Sequence, residues 1–218
     1  RWASDTTCRF EAAVGNPPFI RYHHFVGRTR ELALELAGRL GVKISGLASS
    51  WAPFLVVTAG LLKPGGRMAF VVPAEIGHAP YASPVLSFLC SRFHQVRVIA
   101  IRERLFPNLS EAAWLLFADG FGGTTDVIEL SLFDRVASFA WTDQPTRRVA
   151  YSSWRDVGHR LRMFLLRDSA LITYQSSATK PGVNRLGELV NVGIGYVSGA
   201  NEFFHLRPSE AQRRGIPG

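Results

Sequence analysis

The chain has 218 residues, 47% hydrophobic and 19% charged, which excludes a disordered or fibrous sequence and leaves enough apolar material for a core. Its two cysteines, Cys8 and Cys90, exclude a disulfide framework and suit a reducing, cytoplasmic setting. The net charge of +8 is uneven: residues 1–146 hold 14 Lys and Arg against 12 Asp and Glu, and residues 147–218 hold 11 against 5. A basic C-terminal third fits a polyanion-binding extension, and equally a solvated surface with no partner. The longest apolar stretch, APFLVVTAGLL (52–62), is too short to span a bilayer, so no membrane segment is expected. No signal peptide is visible, and the start at Arg1 rather than Met reads as a fragment or a processed chain.

In chain order, RFEAAV (9–14) reads as a short buried strand that runs into VGNPPFIRY. FVGRTRELALELAGRL (25–40) carries Ala33, Leu36, Ala37 and Leu40 at helical spacing. LASSWAPFLVVTAGLL (47–62) predicts a more buried helix, starting after Pro53, and KPGG (63–66) a stop and turn. RMAFVVP (67–73) is a buried strand ended by proline, YASPVLSFLCSRF (81–93) a helix, and HQVRVIAIRE (94–103) a strand. EAAWLLFAD (111–119) and TDVIELSLF (125–133) are further strands. Strands alternating with helices predict an α/β fold around a mostly parallel sheet. The crowding of the late strands predicts one antiparallel pairing, at an edge. After Phe133 the sequence turns mixed and linker-like, with an amphipathic helix expected over 155–166 and a loop-dominated tail from Lys180.

Several chemistries lack their signatures. There is no GxSxG elbow and no phosphate-binding Walker loop. GIGYVSG (193–199) has one residue too many for a dinucleotide fingerprint. The six histidines are scattered and the cysteines have no partner pattern, so no metal site is expected. Glu75 and His78 read as surface residues rather than as an acid–base pair.

The distinctive stretch is Asn16-Pro17-Pro18-Phe19. A residue before proline is pushed out of helical geometry, and each proline fixes its own φ and lacks an N–H. The result is a stiff, extended turn with carbonyls and no competing donors. The Asn16 side-chain oxygen adds a further neutral acceptor. Such a cluster suits a group with two N–H donors, and Phe19 supplies a flat apolar face beside it. An amino group on a planar ring satisfies both. A purely structural strand-end turn is the competing reading.

NPPF, with LLKPGGRMAFVVP (61–73), YASPVLSFL (81–89), HQVRVIAIRERLFPNLSEAAWLLFADG (94–120) and GIGYVSGANEFF (193–204) following in order, resembles the S-adenosylmethionine-dependent amino-methyltransferases of the TaqI-like restriction–modification class, which act on adenine N6 in DNA. The resemblance implies the C-terminal half of a Rossmann-like methyltransferase sheet with flanking helices, over 1–133. A linker and the start of a DNA-recognition region would follow over 134–218. It implies that Asn16 and the Pro17 carbonyl accept hydrogen bonds from the amino group, that Phe19 stacks on the base, and that Phe117 packs as a second aromatic. Pro18 and Phe54 would line the S-adenosylmethionine pocket. For Phe54 and Phe117, ordinary core packing is the alternative. Duplex DNA is the implied partner, with Arg147, Arg148, Arg185, Asn201 and Arg207 as candidate contacts and Arg213 and Arg214 as further ones. A restriction nuclease, fused or separate, is implied beside it.

The family's Gly-rich cofactor loop is not found before residue 10, where Asp5 is a candidate for a cofactor carboxylate, so the segment alone is expected to bind the cofactor poorly and to lack activity. No Pro-Cys dipeptide of a cytosine-C5 enzyme occurs. A guanine-N2 rRNA or protein-glutamine methyltransferase, and a non-catalytic DNA-binding remnant, are the alternatives.

Overall fold

The computed structural model describes residues 6–106, 112–141, 144–178, 180–184, 186–191, 193 and 206–216. The chain divides into two compact units, 1–171 and 172–218. The first is built on strands β1 (Phe10–Gly15), β2 (Leu62–Pro73), β3 (Phe93–Ile101), β4 (Ala113–Phe121), β5 (Val127–Phe133) and β6 (Arg147–Ala150). Helices α1 (Gly27–Arg39), α2 (Trp51–Ala59), α3 (Ser83–Cys90) and α4 (Tyr151–Asp156) accompany them. Helix α5 (Asp168–Ala178) spans the division, and α6 (Leu186–Leu189) and α7 (Pro208–Arg213) lie in the second unit, with no buried residue in either.

The six strands form one sheet in the order β1-β2-β4-β3-β5-β6. β1 pairs with β2, and β3 with β5, in parallel. β4 runs antiparallel to both β2 and β3. The antiparallel strand expected at an edge is therefore interior. The sequence signals strands but not which neighbour each one takes, and β4 inserts between β2 and its hairpin partner β3. β6 supplies a second antiparallel strand at the far edge. The sheet thus continues past Phe133, and the residues read as linker add Val149 and Trp154 to the core.

Side chains alternate across a strand. Met68, Phe70 and Val72 of β2, Leu116 and Ala118 of β4, Val96 and Val98 of β3, and Ile128 and Leu130 of β5 are all buried on one face. Helices α2 and α3 complete that core with Trp51, Leu55, Val56, Val85, Leu86 and Leu89, each fully buried. Burying one such aliphatic side chain stabilises by about 1.5–3 kcal/mol. Helix α2 begins at Trp51 and carries Pro53 in its first turn, where no intrahelical N–H is required. The KPGG turn lies inside β2: the β1–β2 register jumps from Phe10↔Leu62 to Ala12↔Arg67, with Gly65 at a φ of 75°. The helix expected over 155–166 is broken. Gly158 (φ 68°) and His159 (φ 61°) reverse the chain, and Leu161–Leu165 continues as a 3-10 turn that still buries Leu161 and Phe164.

On the opposite face Arg97 and Glu129 sit side by side in β3 and β5, 3% and 6% exposed. Arg97 reaches Glu129 Oε2 through Nε at 2.8 Å and through a terminal nitrogen at 2.6 Å. Gln95 donates to the same oxygen at 2.8 Å, and Trp141 lies over the guanidinium, 4.8 Å from ring centroid to Cζ. Charged residues within apolar strand sequences (QVRVI, VIELS) were the signal for this pair.

Candidate active site at the carboxyl end of β1

β1 ends at Gly15, paired with Phe70; a Cβ on Gly15 would stand 3.2 Å from the Phe70 ring, so the strand closes tightly on β2 there. Asn16–Ile20 then crosses the carboxyl end of the sheet. Pro17 is buried, Phe19 is half-buried against the core, and Asn16 and Pro18 are exposed.

The loop is held from the side by Ser50, just before α2. Its hydroxyl donates to the Pro18 carbonyl at 2.5 Å and accepts from the Ile20 N–H at 3.0 Å. Its own N–H donates to the Ile20 carbonyl at 2.9 Å. The Pro18 carbonyl and both backbone groups of Ile20 are thereby satisfied, and Ser50 is only 6% exposed. Among the described residues, neither the Asn16 carboxamide nor the Pro17 carbonyl has a hydrogen-bond partner. The clamp consumes the Pro18 carbonyl and leaves the two acceptors before it free.

The next residues carry the support outward. Trp51 Nε1 donates to Glu75 Oε1 at 2.9 Å, and the Tyr81 hydroxyl donates to Glu75 and accepts from the Ser49 hydroxyl at 3.1 Å. Burial first, and then the hydrogen bond to the Glu75 carboxylate, push the Tyr81 hydroxyl well above its ordinary value, so it stays protonated as a donor. Glu75, read from sequence as a surface residue, is thus tied into a half-buried network, while His78 is exposed. Ser50 and this network lie more than thirty positions from the loop, and no local motif marks them.

Two cavities flank the loop. One, of about 430 Å³, is lined by Asn16, Gly15, Val14, Phe54, Thr58 and Phe70 among others. The other, of about 550 Å³, lies between α1 and α2 and is lined by Pro18, Phe54, Pro53, Leu32, Leu36 and Ser50 among others. Phe54 is 42% exposed and belongs to both. Of the residues expected in the site, Asn16, Pro18 and Phe54 line these cavities, while Pro17 and Phe19, on the same loop, line neither. The cavities' aromatic and proline walls can take a flat ring. Among the described residues, no carboxylate lines either cavity.

Phe117 lies elsewhere. It pairs with Ala69, which puts it on the sheet face opposite Phe70. It lines a separate cavity of about 310 Å³ with Arg97, Gln95 and Trp141, its ring 5.0 Å from that of Trp141. Arg147 is held by Asp168 at 2.5 Å and by the Leu166 carbonyl at 3.1 Å, and Arg148 by Glu129 at 3.2 Å. Arg207 is exposed and caps the start of α7, which ends at Arg213, and Arg214 pairs with Glu210 at 2.8 Å. Arg185, Asn201, Asp5 and most of GIGYVSGANEFF lie outside the described residues.

No protein-family model matches the chain. Its sequence is 21% identical over 227 residues to the Type II methyltransferase M.AccI of Acinetobacter calcoaceticus, covering 98% of this chain and 40% of that protein. It is 27% identical over 199 residues to the Type II methyltransferase M.XamI of Xanthomonas campestris pv. amaranthicola, covering 87% of this chain and 34% of that protein. The chain thus spans 40% and 34% of the lengths of these two curated relatives. Among solved structures, the methyltransferase subunit of a type I restriction–modification system from Streptococcus thermophilus superposes with a TM-score of 0.52 at 15% identity, over 73% of this chain and 38% of that one. A chain of the DrdV–DNA complex superposes with a TM-score of 0.50 at 14% identity, over 64% of this chain and 17% of that one. This chain is accordingly similar in sequence to two type II methyltransferases, and its open six-stranded sheet shares the fold of a restriction–modification methyltransferase subunit.

Proposed function

We propose that this chain carries the amino-acceptor loop of a site-specific DNA methyltransferase that modifies the N6 amino group of an adenine turned out of the duplex. The observation that carries this reading is the pair of acceptors without a hydrogen-bond partner, Asn16 and the Pro17 carbonyl, on a loop clamped by Ser50, with Asn16 lining a cavity. S-adenosylmethionine, when bound, supplies the electrophilic methyl group. Pro18 and Phe54 would form part of its pocket, and Phe19 the face on which the base stacks.

Each residue has a physical task. Extruding a base costs a few kcal/mol. Stacking on Phe19 returns about 1–3 kcal/mol of it. The N6 lone pair is delocalised into the purine ring and is a poor nucleophile. Two acceptors aimed at the two N6 hydrogens favour the geometry in which that lone pair leaves the ring plane, and they stabilise the positive charge that develops on nitrogen. Holding the amino group in a fixed position supplies a further part of the acceleration. The new bond is N6–C, the broken one is S–C with its electrons left on sulfur, and one N6 proton departs to solvent. Phe117 would approach the base only from the other sheet face, beside Val14.

The remaining assignments belong to the same reading. The catalytic part is placed in 1–133 and the start of a target-recognition region in 134–218. Arg185, Asn201 and Arg207 stay its candidate DNA contacts, Arg147 and Arg148 being held by Asp168 and Glu129, and a restriction nuclease, fused or separate, its functional companion. The protein would act in the cytoplasm; no helix among the described residues is long and apolar enough to cross a membrane. Because, among the described residues, no carboxylate lines the two cavities, the chain alone would bind S-adenosylmethionine weakly and turn over little. Transfer of a radiolabelled methyl group by the protein encoded by the whole gene tests the proposal. Label in plasmid DNA, released as N6-methyladenine, supports it. Label only in ribosomal RNA or in protein overturns it.

A further inference from the structure

We propose that a groove along the carboxyl end of the sheet, from His78 to Arg102, seats the phosphate backbone of duplex DNA, with Arg160, Arg162 and Arg167 as its contacts. The inference rests on the DNA-methyltransferase reading and names where the substrate's backbone would run.

The groove is made of two cavities that share Leu166. One, of about 490 Å³, is lined by His78, Pro80, Arg160, Arg162, Met163 and Leu166. The other, of about 650 Å³, continues from Leu166 to Arg167, Arg147, Asp168, Asp134 and Arg102 over a floor that includes Leu130 and Phe164. Its place follows from the topology. Arg102 and Asp134 directly follow the parallel strands β3 and β5, so they stand at the carboxyl end, as Asn16 does after β1. Arg162 packs where β2 ends: a Cβ on Gly77 would lie 3.7 Å from the Arg162 Cβ. The same 3-10 turn, Ala74–Gly77, holds the Glu75 carboxylate that Trp51 and Tyr81 engage, and Trp51 adjoins the Ser50 clamp. Groove and acceptor loop are thus joined through one network.

The charges decide the occupant. Asp134 and Asp168 are spent on Arg102, at 2.9 Å, and Arg147, at 2.5 Å. Among the described residues, Arg160, Arg162 and Arg167 have no hydrogen-bond or ion-pair partner for their guanidinium groups, and all three are exposed. The other unpaired guanidinium groups among the described residues of 1–171 are Arg104 and Arg135, also after carboxyl ends of strands, and Arg92, at the amino end; the Lys43 ammonium, after α1, is unpaired as well. Free positive charge therefore gathers on the side where the base would enter. The His78 imidazole, exposed at its edge, is held below its ordinary value first by partial burial of its ring and then by the Arg162 guanidinium, against the Glu75 carboxylate. Unpaired planar guanidinium groups along an open groove match phosphate oxygens. Arg147 and Arg148, prominent in the sequence, are committed to Asp168 and Glu129 instead.

The test is the salt dependence of DNA binding by the full protein, measured by anisotropy with a fluorescein-labelled duplex. Each phosphate left without its arginine lowers the slope of log K against log salt by about 0.9, so replacing three arginines by Gln should lower it by about 2–3. Arg→Lys replacements at the same positions should keep most of the slope, and Arg92→Gln all of it. An unchanged slope in the triple Gln variant, no DNA binding by the wild type, or displacement of DNA by an RNA duplex at lower concentration would each overturn the proposal. Should the Gln variant lose its circular-dichroism spectrum, the three single Gln variants carry the test, with a decrease of about 0.9 expected in each. Methyl transfer is read separately. A lowered slope without any methylation leaves the groove standing and removes the catalytic reading; methylation with an unchanged slope removes the groove alone.

Discussion

Replacing Ser50 by Ala isolates the clamp on the acceptor loop. The variant loses the hydroxyl that donates to Pro18 and accepts from Ile20, while the backbone bond from Ser50 N–H to the Ile20 carbonyl remains. A net hydrogen bond contributes about 1 kcal/mol, and more where its partner is left dry. Two half-buried bonds therefore give about 2 kcal/mol in favour of the clamped geometry. If that energy holds Asn16 and Pro17 in register, its loss leaves the productive geometry about thirtyfold less populated. The expected result is a kcat reduced roughly ten- to thirtyfold with KM for DNA little changed, because the loop touches the reacting group rather than the backbone. Urea unfolding should show a loss of about 1–2 kcal/mol. Ser50→Thr, which keeps a hydroxyl, should recover most of the activity. A Ser50→Ala protein with wild-type stability and wild-type kcat would show that the two bonds do not position the loop.

Two other outcomes follow from the packing. Glu129→Ala removes the carboxylate shared by Arg97, Gln95 and Arg148 and leaves a guanidinium buried without its counter-charge; urea unfolding should show a loss of about 3–5 kcal/mol, and a loss under about 1 kcal/mol would mean that water reaches the pair. Cys90 is buried, and burial pushes its thiol up to about 12 from an ordinary 9.0. The folded state thus binds that proton more tightly than the unfolded one, so this contribution to stability is complete below pH 9 and declines as pH rises toward about 12. A maleimide at neutral pH should label the exposed Cys8 and reach Cys90 only on unfolding; prompt labelling of both would contradict the packing of α3.

The local elements were legible because their signals are local. β3, β4 and β5 are apolar runs bounded by proline, glycine or charge, and each forms within two residues of the bounds expected from sequence. β2 ends at Pro73 as expected but starts earlier, at Leu62, because the strand pairing runs on through the KPGG turn. Strand order was not legible, because the period of two that marks β4 says nothing about its neighbours. The segment 155–166 shows the limit of periodicity: Leu161 and Phe164 are buried as their spacing implies, but Gly158 and His159 in left-handed conformation break the helix that would have joined them to Val157. The acceptor cluster was legible because proline acts on its own peptide units. Its clamp was not, since a lone serine thirty residues away carries no pattern. The basic C-terminal third was visible as composition, yet only the structure separates Arg147 and Arg148, bound to carboxylates, from Arg160, Arg162 and Arg167, which have none.

The measurement that bears most directly on the Asn16–Pro17 acceptor pair is single-molecule sequencing of DNA from a host expressing the gene that encodes this chain, as wild type and as Asn16→Ala. The account predicts N6-methyladenine within one fixed sequence context for the wild type and none for the variant, whose affinity for the same duplex is retained. Modification that persists in the Asn16→Ala strain, or a wild-type mark on a base other than adenine, would contradict it.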